Sequence, residues 1–320
     1  SHLRSSDPTC SPLLRGLATA TCLVALLPIS MGALVTTLKA GMAFADWPSS
    51  DGQNMLLYPW LSDFRVNNEK FVEHGHRLAG VLIGLVAIAL ATVGWRAGGW
   101  QRRWTLGILL AVIAQGGLGG ARVLFDRGTL AMLHSVTGAM FFSLCVVFRV
   151  LLMQGWQQWL RQNDQRFSVG GLAICLAAPL VVLAQYILGG ALRHLHLLRT
   201  EHVISAVFVS VVCVAAVWHL VTSSHRLLRY CGIFIVGSLS LQVGLGLAAL
   251  ATRFGVEVLG YVAVSGSLEQ AIACSLHTVT GMFLFASTNC AVLAVLRLKS
   301  AGCLTGLALT PPDLLRGGAA

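Results

Sequence analysis

The stretch Leu133-His134-Ser135-Val136-Thr137-Gly138 returns near the end of the chain as Leu276-His277-Thr278-Val279-Thr280-Gly281. Each copy opens a long apolar run, which places a histidine inside a membrane helix and a glycine at i+4, on the same face one turn deeper. Two weaker relatives complete the set: His76-Arg77-Leu78-Ala79-Gly80 and His202-Val203-Ile204-Ser205-Ala206. Four helices therefore begin with the pattern His-x-x-x-small.

The surrounding composition demands a lipid solvent. Of the 320 residues 56% are apolar and 11% charged, and mean hydropathy is +0.77, too apolar for a soluble globule. Eight runs can cross a hydrocarbon core of about 30 Å, at roughly 20 residues each. They are Gly16–Leu38, Val72–Trp95, Trp104–Val123, Leu130–Leu152, Val169–Leu192, His202–Val221, Cys231–Ala251 and Ala271–Leu296. None shows the ten-residue alternation of a barrel strand. The first run lacks a small-residue cleavage site and is expected to remain as a helix.

The net charge of +10 would suit a nucleic-acid partner, but its distribution argues for orientation instead. With eight crossings and a cytoplasmic N-terminus, the inner segments hold 13 Lys/Arg against 3 Asp/Glu, and the outer segments hold 9 of each sign. That is the positive-inside pattern, so no nucleic-acid partner is expected. The nine cysteines are scattered singly, without metal-finger spacing, and read as small buried hydrophobes.

A polar segment from Gln154 to Ser168 divides the chain, and the second half replays the first. Gln242-Val243-Gly244-Leu245-Gly246 follows Gln115-Gly116-Gly117-Leu118-Gly119 by 127 residues, and His202 follows His76 by 126. His277 follows His134 by 143, which puts an insertion of about 16 residues in the outer loop from Arg253 to Gln270. Leu188-Gly189-Gly190-Ala191-Leu192 likewise echoes the end of the first run. The expected fold is an all-α membrane protein of eight transmembrane helices arranged as two pseudo-symmetric, parallel four-helix bundles. Residues 16–152 form the first, 153–168 a cytoplasmic linker and 169–296 the second. The glycine clusters of helices three, five and seven fit close helix packing, or room for a flat ligand. The loop from Lys39 to Phe71, with Tyr58, Pro59 and Trp60, suggests a short interfacial helix.

An ionisable side chain inside a membrane helix is read first as functional. Four histidines at repeated positions near the outer leaflet point to metal ligands, and haem suits them best. Two imidazoles from facing helices can take both axial positions of one iron, and a small residue at i+4 clears a slot for the macrocycle. Zinc would want more converging ligands, while proton-relay histidines of a transporter would not need the glycines. Pairing within halves gives His76 with His134 and His202 with His277. Glu73, one turn before His76, has no counterpart before the other three, where Ala131, Arg199 and Cys274 stand. It could serve the first site as acid, base or orienting partner. Arg77, Arg122, Arg193 and Arg199 are candidates for the haem propionates. His74 lies on roughly the opposite face from His76 and is left out of the site, and His194, His196, His219 and His225 have no repeat partners.

Assembled, these motifs resemble the haem A synthase family over about residues 16–296. The resemblance rests on Glu73-x-x-His76-Arg77, Leu133-His134, Glu201-His202, Leu276-His277, Gln115-x-x-Leu118-Gly119-Gly120 and Gly41-Met42-Ala43-Phe44-Ala45-Asp46-Trp47-Pro48. It implies oxidation of a haem O methyl group to the formyl of haem A, for cytochrome oxidase assembly. By the same resemblance, haem b is the cofactor on His202 and His277, haem O is the substrate between His76 and His134, and Glu73 is required for catalysis. It further implies a bacterial plasma membrane or mitochondrial inner membrane, with haem O synthase and an electron donor such as quinol as partners. Many bacterial relatives carry a cysteine pair flanking the Asp-Trp-Pro segment. Here Phe44 and Ser50 stand at those positions, the loop from Arg253 to Gln270 has no cysteine, and Thr36-Thr37 replaces an Arg-Thr ending of helix one. The alternative is a two-haem b-type cytochrome carrying electrons from quinol, which would not need a carboxylate at one site alone.

Overall fold

The computed structural model describes residues 11–155, 165–300 and 304–305. Eight long helices are long and apolar enough to cross a membrane: α1 (Pro12–Thr37), α2 (Asn68–Ala97), α3 (Gly99–Phe125), α4 (Gly128–Leu151), α5 (Val169–Leu195), α6 (Arg199–Val221), α7 (Arg226–Phe254) and α8 (Leu268–Ser300). The protein is an all-α, eight-span integral membrane protein. A two-residue parallel pairing, Gln165–Arg166 with Leu304–Thr305, is the one strand pair among the described residues. Most of the polar segment that divides the halves, residues 156–164, lies outside the described residues.

The helices run past the apolar stretches that announce them, and two of them start on a side-chain cap. Asn67 accepts from the Lys70 amide at the start of α2, and Ser168 accepts from the Gly171 amide at the start of α5, each meeting a donor the helix itself leaves unpaired. Left-handed residues end α3 at Asp126 and α5 at His196. Gly98, at φ 73°, turns the chain between α2 and α3 in a conformation that suits glycine.

Within each quartet neighbouring helices pack in a closed ring, α1–α2–α3–α4 and α5–α6–α7–α8, and α1 and α4 meet α5 and α8 across the middle. α4 and α8 are consequently the most enclosed helices, and Phe142 meets Phe283 edge-on between them at 5.1 Å. Close approach is sequence-driven at Gly94, where a Cβ would collide with the Thr105 side chain of α3.

The expected interfacial helix is a short 3₁₀ segment, Trp60–Arg65. Its aromatic neighbours turn inward and do not simply line a headgroup plane. Trp60 stacks on Phe71 at 4.9 Å and donates its indole N–H to the Phe71 carbonyl at 2.7 Å. Tyr58 lies 4.9 Å from His74, a fully buried ring whose Nδ1 sits 3.2 Å from Ser50 Oγ. The insertion between α7 and α8 is a loop holding a 3₁₀ turn, Glu257–Leu259.

Candidate functional site

The early turns of the even-numbered helices bring the four histidines together two by two. His76 and His134 face each other with ring centroids 6.2 Å apart and planes at 89°. His202 and His277 do the same at 6.3 Å and 84°. Two imidazoles bound to one metal through nitrogen–metal bonds of about 2.0 Å, with each ring centre about 1.1 Å behind its nitrogen, would place their centroids roughly 6 Å apart. Both pairs have the separation that two imidazoles holding one shared ion would have. No group of three or more His, Cys, Asp or Glu that could hold a metal forms among the described residues, so the pairs stand by themselves.

Each ring rests on a glycine of the neighbouring odd-numbered helix. A Cβ would come within 2.9 Å of the His76 ring at Gly32, 3.1 Å of His134 at Gly119, 3.0 Å of His202 at Gly189 and 2.9 Å of His277 at Gly246. These four glycines seat imidazoles, whereas Gly116, Gly117 and Gly244 in the same clusters have nothing within 4 Å. The glycines at i+4 behave differently from the expectation of a macrocycle slot. At Gly138 and Gly281 a Cβ would crowd the side-chain amides of Gln115 and Gln242, at 3.1 and 3.2 Å. The space there is taken by protein, and at Gly80 alone among the three it is open.

Two of the rings have their tautomer set by a backbone carbonyl. His76 Nδ1 donates to Pro28 O at 2.9 Å, and His277 Nδ1 donates to Gln242 O at 3.2 Å. Donation from Nδ1 leaves Nε2 as an acceptor, the arrangement that orients a metal-binding histidine; at His277 that nitrogen faces the Gln242 side-chain amide at 3.5 Å. His202 Nδ1 faces the Gln185 amide nitrogen at 3.1 Å, and His134 Nδ1 is buried without a hydrogen-bond partner.

Around the first pair lies a mainly apolar cavity bounded by Pro28, Gly32, Gly80, Gly119, Phe141 and Met282, with Glu73 and Arg77 at one side and Trp47, Pro48 and Met55 of the outer loop above. It adjoins a second, cationic recess between the two quartets. Thr36, Arg122, Ala131, Arg193 and His194 line both, and Lys39, Arg127 and Arg253 add positive charge to the recess against Asp126 alone. His194 Nε2 is buried there without a partner. Sequence reasoning passed over His194, which has no repeat partner to mark it.

Glu73 is 2% exposed and committed to its neighbours. Its Oε2 accepts from the amides of Ala43 at 2.7 Å and Phe44 at 3.2 Å, and its Oε1 pairs with Arg77 at 2.8 Å. Arg77 in turn donates to Asp46 O and Ser49 O. The pair latches the 41–50 loop over the cavity. The Asp46 side chain folds the same loop, accepting from the amides of Asp51 and Gly52 at 3.0 and 2.8 Å. Partial burial works to raise its pKa, but the bonds from Ser49, Gly52 and Asp51 outweigh that and hold it below the usual carboxylate value.

The other arginines are similarly engaged. Arg122 donates to Gly41 O at 2.7 Å. Arg193 reaches Thr278 at 2.7 Å and Cys274 O at 3.2 Å on α8, and Thr37 at 2.8 Å and the Ala33 carbonyl on α1. It ties α5 to both. Arg199 lies over the Phe254 ring. The described cysteines are all free.

No protein-family profile matches the chain. It is similar to proteins named haem A synthase: 28% identical over 166 residues to that of Geobacillus kaustophilus, covering 50% of this chain and 48% of the relative. The match to the Rhizobium etli protein is 35% over 134 residues, or 38% and 35% of the two chains. That to the Symbiobacterium thermophilum protein is 30% over 192 residues, or 57% and 60%. The aligned stretch thus spans between about a third and three-fifths of these relatives' own lengths. Several relatives bearing one name, matched by a chain of eight apolar helices, agree with the motifs quoted above: this chain is similar to the haem A synthase family.

Proposed function

We propose that the protein is a membrane oxidoreductase that converts a methyl group of haem O to the formyl group of haem A. The observation that carries this reading is the pair of facing histidines in each half, spaced as two imidazoles sharing one ion would be, the first beside an apolar cavity that adjoins a cationic recess. A haem is a flat apolar plate with iron at its centre and two carboxylates on one edge, and that combination suits these surroundings.

In this reading residues 16–152 hold the substrate and residues 169–296 the cofactor. His76 and His134 bind and orient haem O, and His202 and His277 hold haem b. Bound there, haem b supplies a one-electron redox centre. Taking a methyl group to a formyl group removes four electrons and adds one oxygen atom, so a second redox centre beside the substrate has a purpose. Glu73 and Arg77 keep the outer loop, with Trp47 and Pro48, closed over the cavity. Arg122 and Arg193 present the charge that would meet propionates, with the His194 ring beside them. Haem O synthase as the source of substrate and a membrane carrier such as quinol for the electrons complete the scheme.

The asymmetry of Lys and Arg between loops supports a cytoplasmic N-terminus and sites near the outer leaflet of a bacterial plasma membrane. A two-haem cytochrome serving only electron transfer is less well supported, because the relatives bear the name of a synthase and Glu73 has no counterpart in the second half.

The test is expression in a host that makes haem O but not haem A, followed by mass identification of the extracted pigments. Haem A in the wild-type extract, and its loss on His76→Ala with b-type pigment retained, is the expected result. Haem O and haem b alone, from a correctly inserted wild-type protein, would overturn the proposal.

A further inference from the structure

Three of the four histidines are held by a second device that the fourth lacks. Four residues before each ring-seating glycine on α3, α5 and α7 stands a glutamine: Gln115, Gln185 and Gln242. Three residues after the facing histidine stands a hydroxyl: Thr137, Ser205 and Thr280. Gln115 donates its amide to His134 O at 2.7 Å and accepts from Thr137 at 2.7 Å. Gln185 donates to His202 O at 2.8 Å and accepts from Ser205 at 2.5 Å. Gln242 accepts from Thr280 at 2.6 Å, and its amide nitrogen lies 3.5 Å from the His277 ring.

These contacts pin the turn that carries each histidine to the helix opposite. They also account for the close fit of the glycines at i+4, since a Cβ at Gly138 or Gly281 would press on the glutamine amide at 3.1 or 3.2 Å. On α1 and α2 both halves of the clasp are missing. Pro28 occupies the glutamine position before Gly32, Ala79 the hydroxyl position after His76, and the space beside Gly80 is open. The bond from His76 to Pro28 O uses the ring, and the ties of its turn, through Glu73 and Arg77, run to the 41–50 loop and not to the facing helix.

We propose that Gln115, Gln185 and Gln242 are positioning residues that lock His134, His202 and His277 in register, and that the missing clasp makes His76 the releasing ligand of the first site. The inference rests on the haem reading and deepens it. A site that takes in a substrate and gives up a product needs one ligand that lets go, whereas a site that keeps its cofactor is served by two that do not. The fixed partner of the first site is then His134, and the open space at Gly80 gives the His76 turn somewhere to move.

Ligand exchange tests this without turnover. Purified protein is loaded with ferric protohaem and mixed with excess apomyoglobin, and transfer is followed by absorbance. A His277→Ala background reports the first site, and a His76→Ala/His134→Ala background the second. Release from the first site is expected to be at least tenfold faster. Building the clasp with Pro28→Gln/Ala79→Thr should slow that release by roughly tenfold, the size that two added hydrogen bonds would give. Gln185→Ala should speed release from the second site by a similar factor. Equal release from the two sites, or Gln185→Ala with release unchanged, overturns the clasp while leaving the haem reading intact. If the rebuilt clasp does not fold, the Gln185→Ala arm decides. Protein that takes up no pigment at either site overturns the haem reading, and this inference with it.

Discussion

Replacing Glu73 with glutamine should release the outer loop from α2 while leaving the eight-helix scaffold in place. The carboxylate meets three donors, the Ala43 and Phe44 amides and the Arg77 guanidinium, and it is almost fully buried. A glutamine keeps one oxygen to accept but turns an amide donor toward another donor. Removing one partner of a buried pair costs about 3–5 kcal/mol. Arg77 retains Asp46 O and Ser49 O as acceptors, which argues for the lower end, about 3 kcal/mol. At about 1.4 kcal/mol per factor of ten, that is roughly a hundredfold faster opening of the 41–50 segment. Hydrogen exchange read by mass spectrometry on peptides covering Gly41–Ser50 measures it directly, with peptides from α4 and α8 as the unchanged reference. A double-mutant cycle with Arg77→Met should show strong coupling, because either change breaks the same latch. Unaltered protection of the 41–50 peptides in Glu73→Gln would refute the latch. A loss of haem A formation with the loop still closed would instead give Glu73 a direct part in proton transfer.

Other perturbations read different parts of the molecule. His277→Ala should abolish b-type absorbance from the second half, and an unchanged spectrum would remove that histidine from the ligand set. Gly246→Ala places a methyl group 2.9 Å from the His277 ring and should weaken pigment retention and shift the absorption bands. The same change at Gly244, which faces open space, should leave the spectrum alone and add up to about 1 kcal/mol of helix stability. Arg193→Met strips donors from Ala33, Thr37, Cys274 and Thr278 at once and should lower the thermal midpoint in detergent. A midpoint within error of the wild type would show that this arginine does not tie the quartets together. Acidification should free the 46–52 turn. The Asp46 pKa lies below its usual value, so its contribution is present above about pH 4 and fades as pH falls through the folded value. Exchange of the Asp51 and Gly52 amides would then slow less steeply with falling pH than the intrinsic base-catalysed dependence predicts.

Much of the architecture could be read from the chain alone, because the signals are local. Eight apolar runs, the duplicated Leu-His-x-Val-Thr-Gly and the single Glu73 each follow from the spacing of residues along one helix. What that spacing cannot reveal is which side chain of a second helix arrives opposite, since the answer depends on the axial offset and rotation of one helix against the next. Only the tertiary structure assigned Gly32, Gly119, Gly189 and Gly246 to the imidazoles, and Gln185 to a clasp on His202. It likewise committed Arg77 and Arg193 to carbonyls and hydroxyls of distant segments. Glu73 shows the division most clearly. Its place one turn before His76 belongs to helical periodicity, while its bonds to Ala43 and Phe44 exist because the 41–50 loop folds back over the helix end, where a buried carboxylate and two unpaired backbone amides satisfy each other.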